Sequence, residues 1–320
     1  MEGGSHGKFF LARGLRWREQ KPTAQGRRAG YPVPALHVQS ARGILAVGWI
    51  IKTEIQERIL VRHVLRPSRK VGAWERVLEH VQKTVCDLGD LDCPDPFFRG
   101  QSDAKWPLLP RLAPARLALN GQERRSFDRD TENRLYYKFV EYGAHLIPWN
   151  ATSWDTLFAM QHHGVPTRLL DWTESFAVAL YFALKGGRLG GAVWILNPYE
   201  LNNRSIRRKV VVHLETSYRR GYEQYFIKER AKFRGRVVAV AGESRSTRMR
   251  SQRAVFTIHG DLNRSLDSLY PDCVTRVEVP ASAVPGAQDF LALAGVNEFS
   301  VFPDLDGLGR HLRKSELERA

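Results

Sequence analysis

Cysteine is scarce. Cys86, Cys93 and Cys273 are the only three in 320 residues, and they form no Cys-x-x-C step and no Cys/His ligand spacing. A disulfide scaffold and a zinc module are thereby disfavoured, no metal is expected, and a reducing cytoplasm is the expected compartment. Long hydrophobic runs are also missing. The apolar stretch at 44–51 is interrupted by Gly48, and the one at 176–184 is short; a spanning helix needs about 20 apolar residues, so no membrane partner is expected. No G-x-G-x-x-G or G-x-x-x-x-G-K-[ST] run appears, which speaks against the Rossmann and P-loop nucleotide folds.

Acidic residues are outnumbered, 34 Asp+Glu against 49 Lys+Arg, for a net charge of +15. The excess is uneven. Residues 1–72 carry 14 basic and 4 acidic side chains, residues 204–253 carry 15 and 4, and the remainder is mildly acidic at −6. Such patches attract nucleic acid or another polyanion by steering and counterion release, although basic loops also serve as plain solvated surface. Within 204–253, Tyr218, Tyr222, Tyr225 and Phe226 interleave with Arg219, Arg220, Lys228 and Arg230. That mixture of rings and cations suits single strands, and the same near-helical spacing suits a core face equally well. The Gly-, Arg- and Pro-rich segment 1–72 reads as a basic, flexible arm, and 73–320 as the folded domain.

Helical periodicity begins at Trp74, with Val77, Leu78, Val81 and Val85 on one face. Phe97-Phe98 reads as a short strand that delivers Arg99 and Gly100, and 131–142 as a second helix. Thr152 and Asp155 have capping-box spacing ahead of Trp154, Leu157 and Phe158; Asp171 and Glu174 repeat that spacing ahead of the all-apolar 176–184 helix. The second half turns to short β-branched runs at 192–196, 210–212, 237–241, 254–258 and 274–279, with two further helices near 290–294 and after Leu308. The expected fold class is α+β, with helices of the first half packed on a mixed, mostly antiparallel sheet from the second half.

Polar residues interrupt this pattern at two places. Gln161 shares the apolar face of its helix, and His162, His163, Thr167, Arg168, Asp171 and Thr173 follow in a short connection, a good position for a site. The bland alternatives are that Gln161 bonds backbone at a helix end, that Asp171 caps the next helix, and that Arg168 pairs with Asp171. Arg99 at a strand end offers a rigid fork for phosphate or carboxylate, and Gly100 allows close approach of a ligand or of backbone; a buried ion pair is the alternative use of Arg99. Asp304 and Asp306 read as caps of the last helix.

Phe98-Arg99-Gly100-Gln101, the run from Gln161 to Thr173 (QHHGVPTRLLDWT), Ala179-Leu180-Tyr181-Phe182-Ala183 and Val301-Phe302-Pro303-Asp304-Leu305-Asp306-Gly307 resemble the bacterial FRG domain. Two positions depart from that family's pattern: His163 where an aromatic residue is usual, and Arg253-Ala254 in place of a small, Gly-containing pair. The order of the motifs is in turn similar to that of ADP-ribosyltransferases, which implies an ADP-ribosyltransferase-like fold and NAD as substrate. On that resemblance Arg99, with Gly100 and Gln101, serves the phosphates; Thr167 or Thr173 serves the nicotinamide ribose; Gln252 holds a ribose hydroxyl; and Gln161, His162, Arg168 and Asp171 line the cofactor pocket. Many such enzymes have a glutamate where Gln252 stands, and an amide cannot take a proton. The competing reading is a non-catalytic module that binds a nucleotide or nucleic acid.

Overall fold

A computed structural model describes residues 72–88, 95–113, 129–229, 236–242 and 247–317. All of them belong to the second of two units, Lys70–Ala320. The expected basic arm lies outside the described residues but for its last, Gly72.

The chain runs α1 (Ala73–Leu88), β1 (Phe97–Gln101), α2 (Arg129–Tyr142), α3 (Ser153–His162), β2 (Leu169–Thr173), α4 (Phe176–Ala183), β3 (Gly190–Leu196) and α5 (Pro198–Ile206). It continues with β4 (Val212–His213), α6 (Leu214–Ser217), β5 (Val237–Ala241), α7 (Thr247–Ser251), β6 (Ala254–His259), α8 (Leu266–Leu269), β7 (Val274–Pro280), α9 (Val284–Leu293), α10 (Glu298–Val301) and α11 (Leu305–Leu312). Seven strands form one sheet in the order β4-β5-β6-β2-β1-β3-β7. Only β4 and β5 run parallel, so the fold is α+β with a mixed sheet.

The sheet is not confined to the second half. β1 and β2 come from the helix-rich part and occupy its centre. β2 is invisible to periodicity because Asp171 is exposed among four buried neighbours, so the stretch reads as a polar connection. α5 escapes for a different reason: Asn197 caps it and Pro198 opens it, yet its face holds the fully buried Asn202, whose amide bonds Val210 O, Ala239 O and Ala239 N.

Side chains alternate across each strand, so Phe98 and Thr173, paired in register, point to one face of the sheet. Two separate cores cover that face. One gathers Leu169, Val238, Val240, Phe256 and Ile258 under α3 and residues 222–227. The other gathers Phe98, Val193, Ile195, Val277 and Val279 under α1, α4 and α9. A third, with Phe97, Trp172, Trp194, Val237 and Val255, fills the opposite face. The capping box of Thr152 and Asp155 forms as expected. α4, by contrast, is capped by Ser175, and Asp171 lies inside β2.

Candidate functional site

β1 and β2 sit at the middle of the sheet but pair only at Phe98 and Thr173. Beyond that point they part. A cavity of about 720 Å3 opens along the seam, lined by Arg99, Gly100 and Gln101 of β1, by all five residues of β2, and by Gln161 and His162 of α3. Gln252 and Phe302 also line it. Sites expected from three distant parts of the sequence therefore meet in one cavity. Thr167 and Arg168 are not in its lining.

Thr167 nevertheless acts on the cavity through another side chain. Its hydroxyl accepts from Leu169 N at 3.1 Å and donates to Gln161 Oε1 at 2.5 Å, which fixes the amide. Gln161 Nε2 then donates to both oxygens of the Asp171 carboxylate at 2.8 Å. The polar residue on the apolar face of α3 thus presents an aimed carboxylate to the seam, and Asp171 neither caps α4 nor pairs with Arg168. Arg99 Nη1 donates to the Asp171 carbonyl at 2.6 Å, supplying a partner to backbone that the parted strands leave without one. Gly100 is required by backbone: a Cβ there would run into the Ala179 carbonyl of α4.

The remaining expected residues hold the wall together. Gln101 is 2% exposed; its Oε1 accepts from Trp194 Nε1 at 2.8 Å, while its buried Nε2 has no acceptor among the described residues. Thr173 donates its hydroxyl to Gln252 O at 2.6 Å and accepts from Ser175 N at 3.0 Å. Gln252 Nε2 donates to Val301 O at 3.1 Å, tying α7 to the Val301–Gly307 motif and leaving its own Oε1 as the acceptor. In that motif Asp304 caps α11 as expected, through Gly307 N at 2.7 Å. Arg253 adopts φ 45, the left-handed backbone that favours glycine, which accounts physically for the small pair usual at this place in the family.

Arg168 is a structural residue. It is 8% exposed and makes a two-pronged ion pair with Glu132 of α2, its Nη2 lying 2.6 Å from Oε2; Nη1 donates to His259 O at 3.0 Å. Tyr222 OH completes the knot on Glu132 Oε1 at 2.5 Å. Burial lowers the guanidinium's proton affinity, and Glu132 more than offsets this. Tyr222, Tyr225 and Phe226 are core side chains, not stacking surfaces, so the ring-and-cation reading of 204–253 loses its rings. Several of its cations are also paired, Arg220 with Glu229, Lys228 with Glu223 and Arg253 with Glu174.

Sequence reasoning missed Trp106, Arg111, Lys185, Arg248 and Phe302, all in the cavity lining. No periodic signal marks them as a group; the Phe302 motif was visible, but not that this residue lines the cavity. His162 is lowered from its ordinary pKa, by burial first and then by Arg248 and His163, so it is neutral at pH 7. Beyond Phe158, His162, His163 and Met249, which line both, lies a second and apolar cavity of about 790 Å3. Among the described residues no cluster of His, Cys, Asp or Glu could hold a metal ion, and no helix is long and apolar enough to cross a membrane.

Residues 95–189 match the family model of the FRG domain. The resemblances at Gln252 and at 301–307 lie outside that stretch but on walls of the same cavity. No curated protein and no solved structure matches the chain. Residues 95–189, which carry β1, α2, α3, β2, α4 and the seam between them, are thus identified as an FRG domain.

Proposed function

We propose that the seam cavity binds a nucleotide and that the protein is an NAD-using enzyme resembling ADP-ribosyltransferases. The observation that carries this reading is the Asp171 carboxylate, open to the cavity and clamped through both oxygens by Gln161. Cleavage of the N-glycosidic bond of NAD builds positive charge on the ribose. A fixed carboxylate at that charge stabilises the transition state more than the ground state. The C1′–N bond breaks with its electron pair going to the pyridinium nitrogen, which leaves as neutral nicotinamide. Water or an acceptor hydroxyl adds to C1′, and Asp171 takes the proton lost by that nucleophile. Asp171 thereby fills the role an amide at Gln252 cannot fill, while Gln252 Oε1 remains an acceptor for a ribose hydroxyl. Trp106 offers a ring for a base, and the buried Gln101 Nε2 offers a donor.

The second reading is a non-catalytic nucleotide- or nucleic-acid-binding module. The engagement of Thr173 at both ends and of the Gln252 amide favours it, since little of that pair is left for chemistry. In this reading the exposed Arg207, Arg208 and Arg219 serve phosphates beyond the cavity. The full-length protein incubated with millimolar NAD and followed by liquid chromatography with mass detection separates the two. Release of nicotinamide, reduced about 100-fold or more in Asp171→Asn, supports the enzyme. An NAD-raised melting temperature with no nicotinamide released supports the module.

A further inference from the structure

We propose that Lys185 and Arg248 form a phosphate subsite on the ring of Phe302, and that its ligand is a diphosphate group. Both side chains line the cavity and both lie against the same ring: Lys185 Nζ is 4.9 Å from the Phe302 centroid and Arg248 Cζ is 4.6 Å from it. Two cationic side chains of one cavity lining thus share an apolar platform. A third cation, Arg310, sits 5.3 Å from the same centroid, but it is ion-paired to Glu298 at 2.7 Å and is not in the lining.

Lys185 and Arg248 have no such pairing. Among the described residues neither forms an ion pair with a carboxylate. The acids nearest to Arg248 in charge are Asp171 and Asp304, and both are already engaged, Asp171 by Gln161 and Asp304 by the first turn of α11. Burial, with Arg111 and Arg310 adding to it, lowers the proton affinity of Arg248 despite those acids. A half-buried guanidinium and an ammonium on one ring, neither of them ion-paired to a carboxylate, are complementary to a ligand bearing two adjacent negative groups. Arg111, on the α3 side of the same lining, adds a third positive charge to the field. Arg99 differs from this pair, since one of its nitrogens is taken by the Asp171 carbonyl.

The identification of the diphosphate as part of a nucleotide rests on the proposed function; the subsite itself does not. Inorganic pyrophosphate is therefore the probe, titrated calorimetrically into the full-length protein at low salt. Arg248→Gln and Lys185→Gln should each weaken it at least about 10-fold, the loss expected when one charge-assisted contact is removed. Arg253→Gln, outside the cavity, should bind as the wild type does. Melting temperatures without ligand establish that each variant is folded, and Arg248→Lys should recover part of the affinity if charge at this place is what matters. Pyrophosphate that fails to bind the wild type, or binds both glutamine variants unchanged, overturns the subsite. Pyrophosphate binding without nicotinamide release leaves the subsite standing and removes the enzyme reading. Nicotinamide release from NAD that is indifferent to both substitutions leaves the enzyme reading standing and overturns the assignment of the subsite to a nucleotide's diphosphate.

Discussion

Thr167 and Arg168 are neighbours in the chain, yet they belong to two polar assemblies of opposite character. Arg168, Glu132 and Tyr222 form a knot in which charge meets charge away from water and no valence is left over. Thr167, Gln161 and Asp171 form a relay that begins on backbone in the interior and ends on a carboxylate at a cavity. Saturation marks the first as architecture. An open end leaves the second with a carboxylate facing the cavity. Composition treats both as a dense polar stretch, and the difference lies in what the last oxygen of each chain of bonds can reach.

Removal of the knot's cation should have the largest effect. Arg168→Ala leaves the Glu132 carboxylate buried beside Tyr222 without its partner, and is expected to lower stability by about 3 to 5 kcal/mol in denaturant titration. A loss below about 1 kcal/mol would place Arg168 on the same footing as the relay. The knot also extends to His259, whose carbonyl accepts from Arg168 and whose ring is fully buried. Burial first, then the charges of Arg168 and Arg99, hold that imidazole down to about 3, against 6.5 ordinarily. Below about pH 6.5 the unfolded chain takes up a proton that the folded one refuses until about pH 3. Stability is therefore full above pH 6.5 and falls on acidification by about 1.4 kcal/mol per pH unit. Comparing wild type with His259→Gln between pH 6.5 and 5 isolates this slope, which the variant should lack. The smallest effect is expected at the relay: Gln161→Ala should cost about 0.5 to 1.5 kcal/mol, because water can reach the Asp171 carboxylate and take over from the amide. A much larger loss would show that the relay is a second knot.

Much of the fold was legible, and the reason differs from element to element. α1 announces itself through a helix face that repeats along contiguous sequence, α3 through its capping box and α4 through an unbroken apolar run; β5 and β6 do so through β-branched runs. β2 was hidden by the same residue that makes it interesting, since Asp171 breaks the apolar pattern in order to face the seam. At the site, Arg99 and Gln161 stood out as polar residues interrupting apolar segments, and Gln252 entered only through the family resemblance. Lys185, Arg248 and Phe302 did not, because nothing local ties a lysine after α4 to a ring more than a hundred residues later. The role of Arg168 was hidden for the same reason: its partner, Glu132, reads as an ordinary first-turn acid of α2.

The seam also has a mechanical meaning. With one register pair joining β1 to β2, the sheet consists of two plates, β4-β5-β6-β2 and β1-β3-β7, each with its own hydrophobic backing on the helix-covered face. On either side of the seam the lacing is fuller: β2 pairs β6, and β1 pairs β3, over five residues each. Between plates the backbone lacing is a single stitch plus the Arg99 guanidinium. A change in the angle between the plates would stretch that stitch and little else in the ladder, and the volume it would alter first is the one into which Asp171 projects.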